Sequence, residues 1–418
     1  LALLAFGIPQ AHLDLRISEY KGLSQALQVV DSRILHQSSS PLGLITVVDS
    51  PTVPIRHAPG LSFNTRHIPP EQLAVFTDAD GMSAITRYDG SPGSVAYLGD
   101  LAAALPFQLL EQPDVLILGA GTGNDVLLSL YHGASRVDAV ELNPQMTGLV
   151  AGTYADFAGR IYDDPRVTVY TDEARGFVAR NTGKYDLIQI GLLDSFGASG
   201  AGVQALNESY IYTVEALREY LADLEPGGLL AITRWIKMPP RDSLKLLATA
   251  IEALRQSGVS EPGRRIAMVR SWNTSTLLVR NGAFTPGEID RIRTFARSRS
   301  FDTAYFPGMR AGEANRFNRL AEPYIYDAAV ALLGDRPGDF SGRYKFYVDP
   351  ATDDRPYFFH FFRWRTLPEV MALRKAGGAG LIEWGYLVLV ATFVQAAALG
   401  LVLILLPLSL GRHAWPAG

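Results

Sequence analysis

The segment Gly119-Ala120-Gly121-Thr122-Gly123-Asn124-Asp125 lies between an apolar run, DVLIL, and the start of a helical pattern, NDVLLSLY. Glycines at such a junction let the backbone turn tightly and let a ligand approach without meeting a Cβ, while the helix start offers unpaired amides. A dinucleotide fingerprint, G-x-G-x-x-G, would need glycine at position 124; Asn124 stands there, which makes nicotinamide chemistry a distant reading. Two acidic signals follow. Glu141 closes the run RVDAVE, where a carboxylate can accept hydrogen bonds from both hydroxyls of a ribose. Asp172 and Glu173 follow RVTVYT, where an acid could hold an exocyclic adenine amine. Each acid alone is equally a solvated loop residue. Taken together, Gly119, Gly121, Gly123, Asp125, Glu141, Asp172 and Glu173 fall on successive strand ends and point to an adenosine ligand at one sheet edge.

Such an edge needs a frame, and the pattern from Asp114 to about Trp235 supplies one. DVLILGAG, RVDAVELN, RVTVYTDE, YDLIQIG and GLLAITRW read as strands, while NDVLLSLYHGA and the long amphipathic SYIYTVEALREYLADL read as helices. That alternation specifies a parallel sheet covered on both faces, a doubly wound α/β domain. RIAMVRSW and TSTLLVRNG, linked at Asn273–Thr274, predict an antiparallel hairpin closing the sheet's edge, and TPGEIDRIRTFAR opens a helix at a capping signal. Short apolar runs between turn signals, such as LGLITVVDS and EQLAVFTDADG, predict small strands near the N-terminus. The aromatic, turn-rich stretch from Tyr305 to Arg365 specifies no element. The expected division is a β-rich region over 1–105, the α/β domain over 106–300, an aromatic-rich extension over 301–378 and an apolar helix over 379–410.

Composition narrows the function classes. The 418 residues are 48% hydrophobic and 19% charged, with no cysteine, which excludes a disordered chain, a disulfide scaffold and any Cys-ligated metal site. Thirty-eight Lys and Arg against 42 Asp and Glu give a net charge of −4, so no overall basic field argues for nucleic acid. Seven scattered histidines without an H-E-x-x-H pattern argue against a metal site. The mean hydropathy of +0.09 is high for an enzyme, and the excess is concentrated. Trp384 to Gly411 holds no charged residue, a length that spans a bilayer at 1.5 Å per residue. Arg363, Arg365, Arg374 and Lys375 precede it and Arg412 follows, which places the preceding residues on the cytoplasmic side. The aromatic tract Tyr357–Trp364 is expected to pack the domain against the membrane interface. A start at LALLAFG and an end soon after the span read as cuts from a longer membrane protein.

The runs VLILGAGTGNDVLLSL, VDAVELNP, DPRVTVYTDEARGF, KYDLIQIGLLDS, NESYIYTVEALREYL and EPGGLLAI resemble the class I S-adenosylmethionine-dependent fold. Within it they resemble the spermidine synthase-like proteins, from about Tyr97 to Trp235. The later segments RSWNTSTLLV, YFPGM, EANRFN and TDDRPYFFHFFRW are similar to large bacterial membrane proteins that carry such a domain between hydrophobic regions. The resemblance implies a Rossmann-like methyltransferase fold with a small N-terminal β region and a C-terminal transmembrane helix. It also implies S-adenosylmethionine or its decarboxylated form as cofactor, no metal, a small-molecule amine substrate, a homodimer as a further association, and the bacterial inner membrane with the catalytic domain facing the cytoplasm.

The implied chemistry is displacement at a carbon beside a sulfonium, moving an aminopropyl group to an amine, as in polyamine biosynthesis, or a methyl group to another acceptor. An amine must lose a proton before it attacks, and a nearby carboxylate can take it. In the family, the strand matching YDLIQI ends with an aspartate for this purpose, followed by a second in Ser-x-Asp-Pro. Here Gly191 holds the first position and Asp194 falls at the second, making Asp194 the candidate catalytic acid. Tyr97, Asp100 and Tyr210 match amine-pocket positions. Gly191 leaves three readings open: Asp194 takes the base role, the acceptor needs no strong base, or the domain binds the cofactor without catalysis and regulates a membrane protein.

Overall fold

The computed structural model describes residues 17–193, 207–375 and 384–411. Asp194, Arg412 and the N-terminal apolar run lie outside the described residues. The chain forms two compact units: Leu1–Ser199, Glu219–Ile236 and Gly263–Pro323 make the first, and Gly200–Arg218, Lys237–Pro262 and Tyr324–Gly418 the second.

Two sheets build the first unit. The smaller is antiparallel throughout, in the order β1 (Arg33–Ser40), β2 (Gly43–Asp49), β3 (Gln72–Thr77), β4 (Gly81–Thr86). Val48, Ala74 and Phe76 pack with Leu23 into its own small core. The larger sheet has eight strands: β5 (Asp114–Leu118), β6 (Arg136–Glu141), β7 (Val167–Thr171), β8 (Tyr185–Ile190), β9 (Leu224–Trp235), β10 (Ile266–Arg270), β11 (Thr274–Arg280) and β12 (Asp302–Tyr305). Their spatial order is β12-β10-β11-β9-β8-β5-β6-β7. From β7 to β9 every pairing is parallel, and β5 and β8 are almost continuous apolar runs because both faces of such a sheet are covered.

Connections run from β5 to β6 to β7 on one side and then return past β5 to β8 and β9 on the other. The strand order therefore reverses between β5 and β8, where open α/β sheets form a ligand crevice outside their carboxyl ends. This is the doubly wound α/β fold expected from the sequence. The β10–β11 hairpin also forms, and β11 pairs antiparallel with β9. It does not close the edge, because β12 pairs with β10 beyond it. Asp302 of β12 lies 3.0 Å from the Arg270 guanidinium, both side chains being almost wholly buried, and accepts the backbone N–H groups of Phe317 at 2.9 Å and Asn318 at 2.8 Å. A four-residue strand in a turn-rich stretch carries too little periodicity to announce itself.

In the second unit the Asp242–Gln256 helix is buried along most of its length. Its Lys245 donates to the carbonyls of Tyr357 at 2.9 Å and His360 at 3.1 Å, with the ammonium 5.0 Å from the Tyr347 ring centre. Phe358, Phe359, Phe361 and Phe362 are buried. Tyr386 packs on His360, Phe362 and Trp364 with ring centres 4.7, 5.5 and 6.2 Å away. Past this aromatic seat, Tyr386–Ser409 has a mean hydropathy of 2.5 and none of it is buried. It is long and apolar enough to cross a membrane.

Candidate active site

Strand β5 ends at Leu118 and the chain turns through the glycine-rich segment into the Asn124–Tyr131 helix. The amides of Gly119 and Ala120 both donate to the Val140 carbonyl, at 2.8 and 2.9 Å, which ties the turn to the end of β6. Gly123 caps the helix at φ +84°, and a Cβ there would sit 2.7 Å from Ile161 Cδ1. Gly121 is the opposite case. A Cβ at that position would meet nothing within 4 Å, so its missing side chain leaves open space above the turn.

Glu141, at the tip of β6, organises this region. One carboxylate oxygen accepts from Gly121 N–H at 2.8 Å and the other from Asn143 N–H at 2.8 Å. The Tyr162 hydroxyl donates to the Gly121 carbonyl at 3.4 Å; burial, with the charges of Glu141 and Asp125, pushes that phenol up. Asn124, which breaks the dinucleotide pattern, has a structural task. Its Nδ2 donates to the Ala84 carbonyl at 2.9 Å and to Thr122 Oγ1 at 3.2 Å, and its Oδ1 accepts from Thr86 Oγ1 at 3.1 Å. The helix start is thereby fastened to β4.

A cavity opens where the turn, the residues after β8, the start of β4 and the 97–103 stretch meet. Its wall includes Tyr97, Gly119, Gly121, Asp125, Gly191 and Trp235. Asp125 projects from the first helical turn and its Oδ1 accepts from Gln189 Nε2 at 2.7 Å. Burial pushes its carboxyl up to about 6, moderated by the Gln189 hydrogen bond. The other wall groups are held neutral. Burial drives His57 down to about 4, and raises the Tyr97 phenol, whose hydroxyl lies 3.4 Å from Thr86 Oγ1. Among the described lining residues there is no lysine or arginine, and Asp125 is the only carboxylate.

The remaining sequence candidates are placed as follows. Glu173 caps the Ala174–Arg180 helix, accepting from Arg175 N–H at 3.0 Å and Gly176 N–H at 2.6 Å. Asp172 pairs with Arg180. Neither is among the residues that line the cavity, nor is Glu141. Asp100 is also outside the lining: one carboxylate oxygen accepts from Thr65 Oγ1 at 2.6 Å and lies 2.9 Å from His67 Nδ1, and the other lies 3.5 Å from Arg299 Nε. Tyr210 belongs to the second unit, where its exposed hydroxyl donates to Glu208 at 3.1 Å. Asp194 lies outside the described residues. Sequence reasoning missed His57, Met82, Ser83 and Trp235, which reach the wall from distant elements, and Gln189. Gln189 carried a signal, a lone amide inside the buried strand YDLIQI.

No family model matches the chain. It is 33% identical over 151 residues to a polyamine aminopropyltransferase of Clostridium perfringens, covering 36% of this chain and 50% of that one. The chain thus spans about half the length of that curated relative. It is 30% identical over 250 residues to a polyamine aminopropyltransferase of Korarchaeum cryptofilum, covering 59% of this chain and 68% of that one. Among solved structures, spermidine synthase from Thermotoga maritima is 14% identical, covering 74% of this chain and 86% of its own, with a TM-score of 0.40. A probable spermidine synthase from Corynebacterium glutamicum is 17% identical, covering 64% and 87%, with a TM-score of 0.43. With 30% identity to a relative of which it covers 68%, this chain belongs to the spermidine synthase-like family of polyamine aminopropyltransferases.

Proposed function

We propose that the first unit transfers an aminopropyl group from decarboxylated S-adenosylmethionine to an amine, a reaction of the polyamine biosynthesis type. The observation that carries this reading is the charge of the cavity wall, with one carboxylate, Asp125, and no lysine or arginine among its described residues. A donor retaining the methionine carboxylate would bring an anion toward Asp125 with no lysine or arginine among the described lining residues to receive it. The decarboxylated donor and an amine acceptor are both cations, and a carboxylate favours them. The open space over Gly121 and the carboxylate of Glu141 fit an adenosyl group, with Asp172 and Glu173 assigned to the adenine end and Gly119 and Gly123 to the turn. The sulfonium, when bound, supplies an electrophilic carbon. What the protein contributes is position and orientation for an in-line displacement. Tyr97 lines the cavity and is the acceptor-contact candidate there, while Asp194 stays the acid that the family resemblance assigns to the acceptor.

The apolar Tyr386–Ser409 helix supports anchoring in a bacterial inner membrane, and the excess of arginine before it supports a cytoplasmic catalytic domain. The test of the reaction is mass spectrometry of a panel of amines incubated with the purified protein and each donor. The expected product gains about 57 Da from the decarboxylated donor; a gain of about 14 Da from S-adenosylmethionine would instead identify methyl transfer, displacement at the other carbon. Ligand binding without either product would identify the regulatory alternative.

A further inference from the structure

A glycine follows β8 at position 191, and the space that a side chain would fill there is taken. A Cβ built on Gly191 would fall inside the Asp125 carboxylate, with Oδ2 nearest. Asp125 belongs to a different element, the helix after β5, yet β5 and β8 are hydrogen-bonded neighbours, so the helix start overhangs the end of β8. Gln189, two residues earlier on β8, holds Oδ1 at 2.7 Å and thereby directs Oδ2 toward Gly191. Asp125, a half-buried residue, consequently stands at the carboxyl edge of the sheet and lines the cavity wall.

We infer that Asp125 binds the attacking amine and accepts its proton, and that Gly191 is the residue that makes room for it. The inference deepens the proposed function and rests on that reading. The balance is simple. The ammonium of the acceptor gives one proton to the Asp125 carboxylate; the freed nitrogen lone pair forms the new N–C bond; the C–S bond breaks with its electron pair going to sulfur, leaving a neutral thioether. No oxidant or metal is needed. The ionisable groups around Asp125 favour this role over the other candidates. His57, in the same wall, is pushed down to about 4 and is the poorer proton acceptor, while Tyr97 and Tyr162 are pushed up and remain protonated. Glu141 has both oxygens engaged by backbone amides. An Asp125 raised to about 6 is ionised at neutral pH and still basic enough to take a proton.

The experiment moves the acid between the two elements. Asp125→Asn should lower kcat/KM for the amine by about 100-fold or more, the scale of a lost general base, and remove the acid limb expected in the wild-type profile near pH 6. Calorimetry with methylthioadenosine should find adenosyl affinity within about threefold of wild type, below the tenfold step that marks a lost contact. Gly191→Asp should be impaired by collision, whereas Asp125→Ala combined with Gly191→Asp should regain at least about tenfold over Asp125→Ala alone, through a restored base. Calorimetry with 1,4-diaminobutane on the ligand-free protein reads amine binding without turnover, and should show it lost in Asp125→Asn. Asp125→Asn with unchanged pH profile and amine binding would overturn the inference, and so would a double variant that folds yet regains nothing. A wild type that makes no aminopropyl product refutes the proposed reaction separately, and retained diamine binding in Asp125→Asn would then refute the amine site as well.

Discussion

Glu141 stood out in the sequence because its position at a strand tip is a local property, read from RVDAVE followed by Leu-Asn-Pro. The structure shows its two oxygens engaged with Gly121 and Asn143, so the residue shapes the turn as well as carrying the proposed ribose contact. Glu141→Ala should weaken adenosyl-ligand binding by about tenfold or more and lower stability by about 1–2 kcal/mol, measured by calorimetry and thermal melting. Asp125 was legible only as one more turn residue. Its proximity to Gly191 joins two segments far apart in sequence, and no local pattern encodes that. Its raised pKa also carries a stability consequence. An aspartate whose folded value lies above its unfolded value near 4 favours the fold most when protonated, so its contribution is full below about pH 4 and is lost as pH rises through about 6. Asp125→Asn should therefore flatten this loss. The melting temperature of wild type relative to the variant should fall between about pH 4 and 7; a constant difference would contradict the shift.

At the scale of elements, β5 to β9 could be read because long buried strands, glycine turns and amphipathic helices state the same architecture independently. Strand β12 could not. It is held by its pairing with β10 and by tertiary contacts, among them Arg270 to Asp302 at 3.0 Å and the backbone amides that Asp302 collects from the Phe317 segment. Asp302→Asn would leave the Arg270 charge buried without its partner and should destabilise the first unit by about 3–5 kcal/mol in denaturant melts. Gly123 tests the turn. An alanine there must hold φ +84° and meet Ile161, so Gly123→Ala should cost about 1–3 kcal/mol and reduce adenosyl-ligand affinity in parallel. The aromatic tract shows a different limit. Its residues read as an interfacial platform from composition, but which of them turn inward depends on Lys245 and Tyr347, residues the tract itself does not contain.

For the whole chain, the two units divide the tasks suggested by the sequence. The first carries the cavity and the second carries the apolar helix on its aromatic seat. A chain ending before Tyr386 should move from the membrane fraction to the supernatant after carbonate extraction, with kcat for a soluble amine within about twofold, since no cavity residue is removed. Deletion that leaves the protein sedimenting with membranes would place the attachment elsewhere. The fastening of Asn124 to β4 has a further reach. Opening of the smaller sheet at Ala84 must release the start of the glycine-turn helix, so the two cannot fray independently. Occupying the cavity should consequently slow amide hydrogen exchange in β4, and a fault introduced in that sheet should be felt first as faster ligand escape.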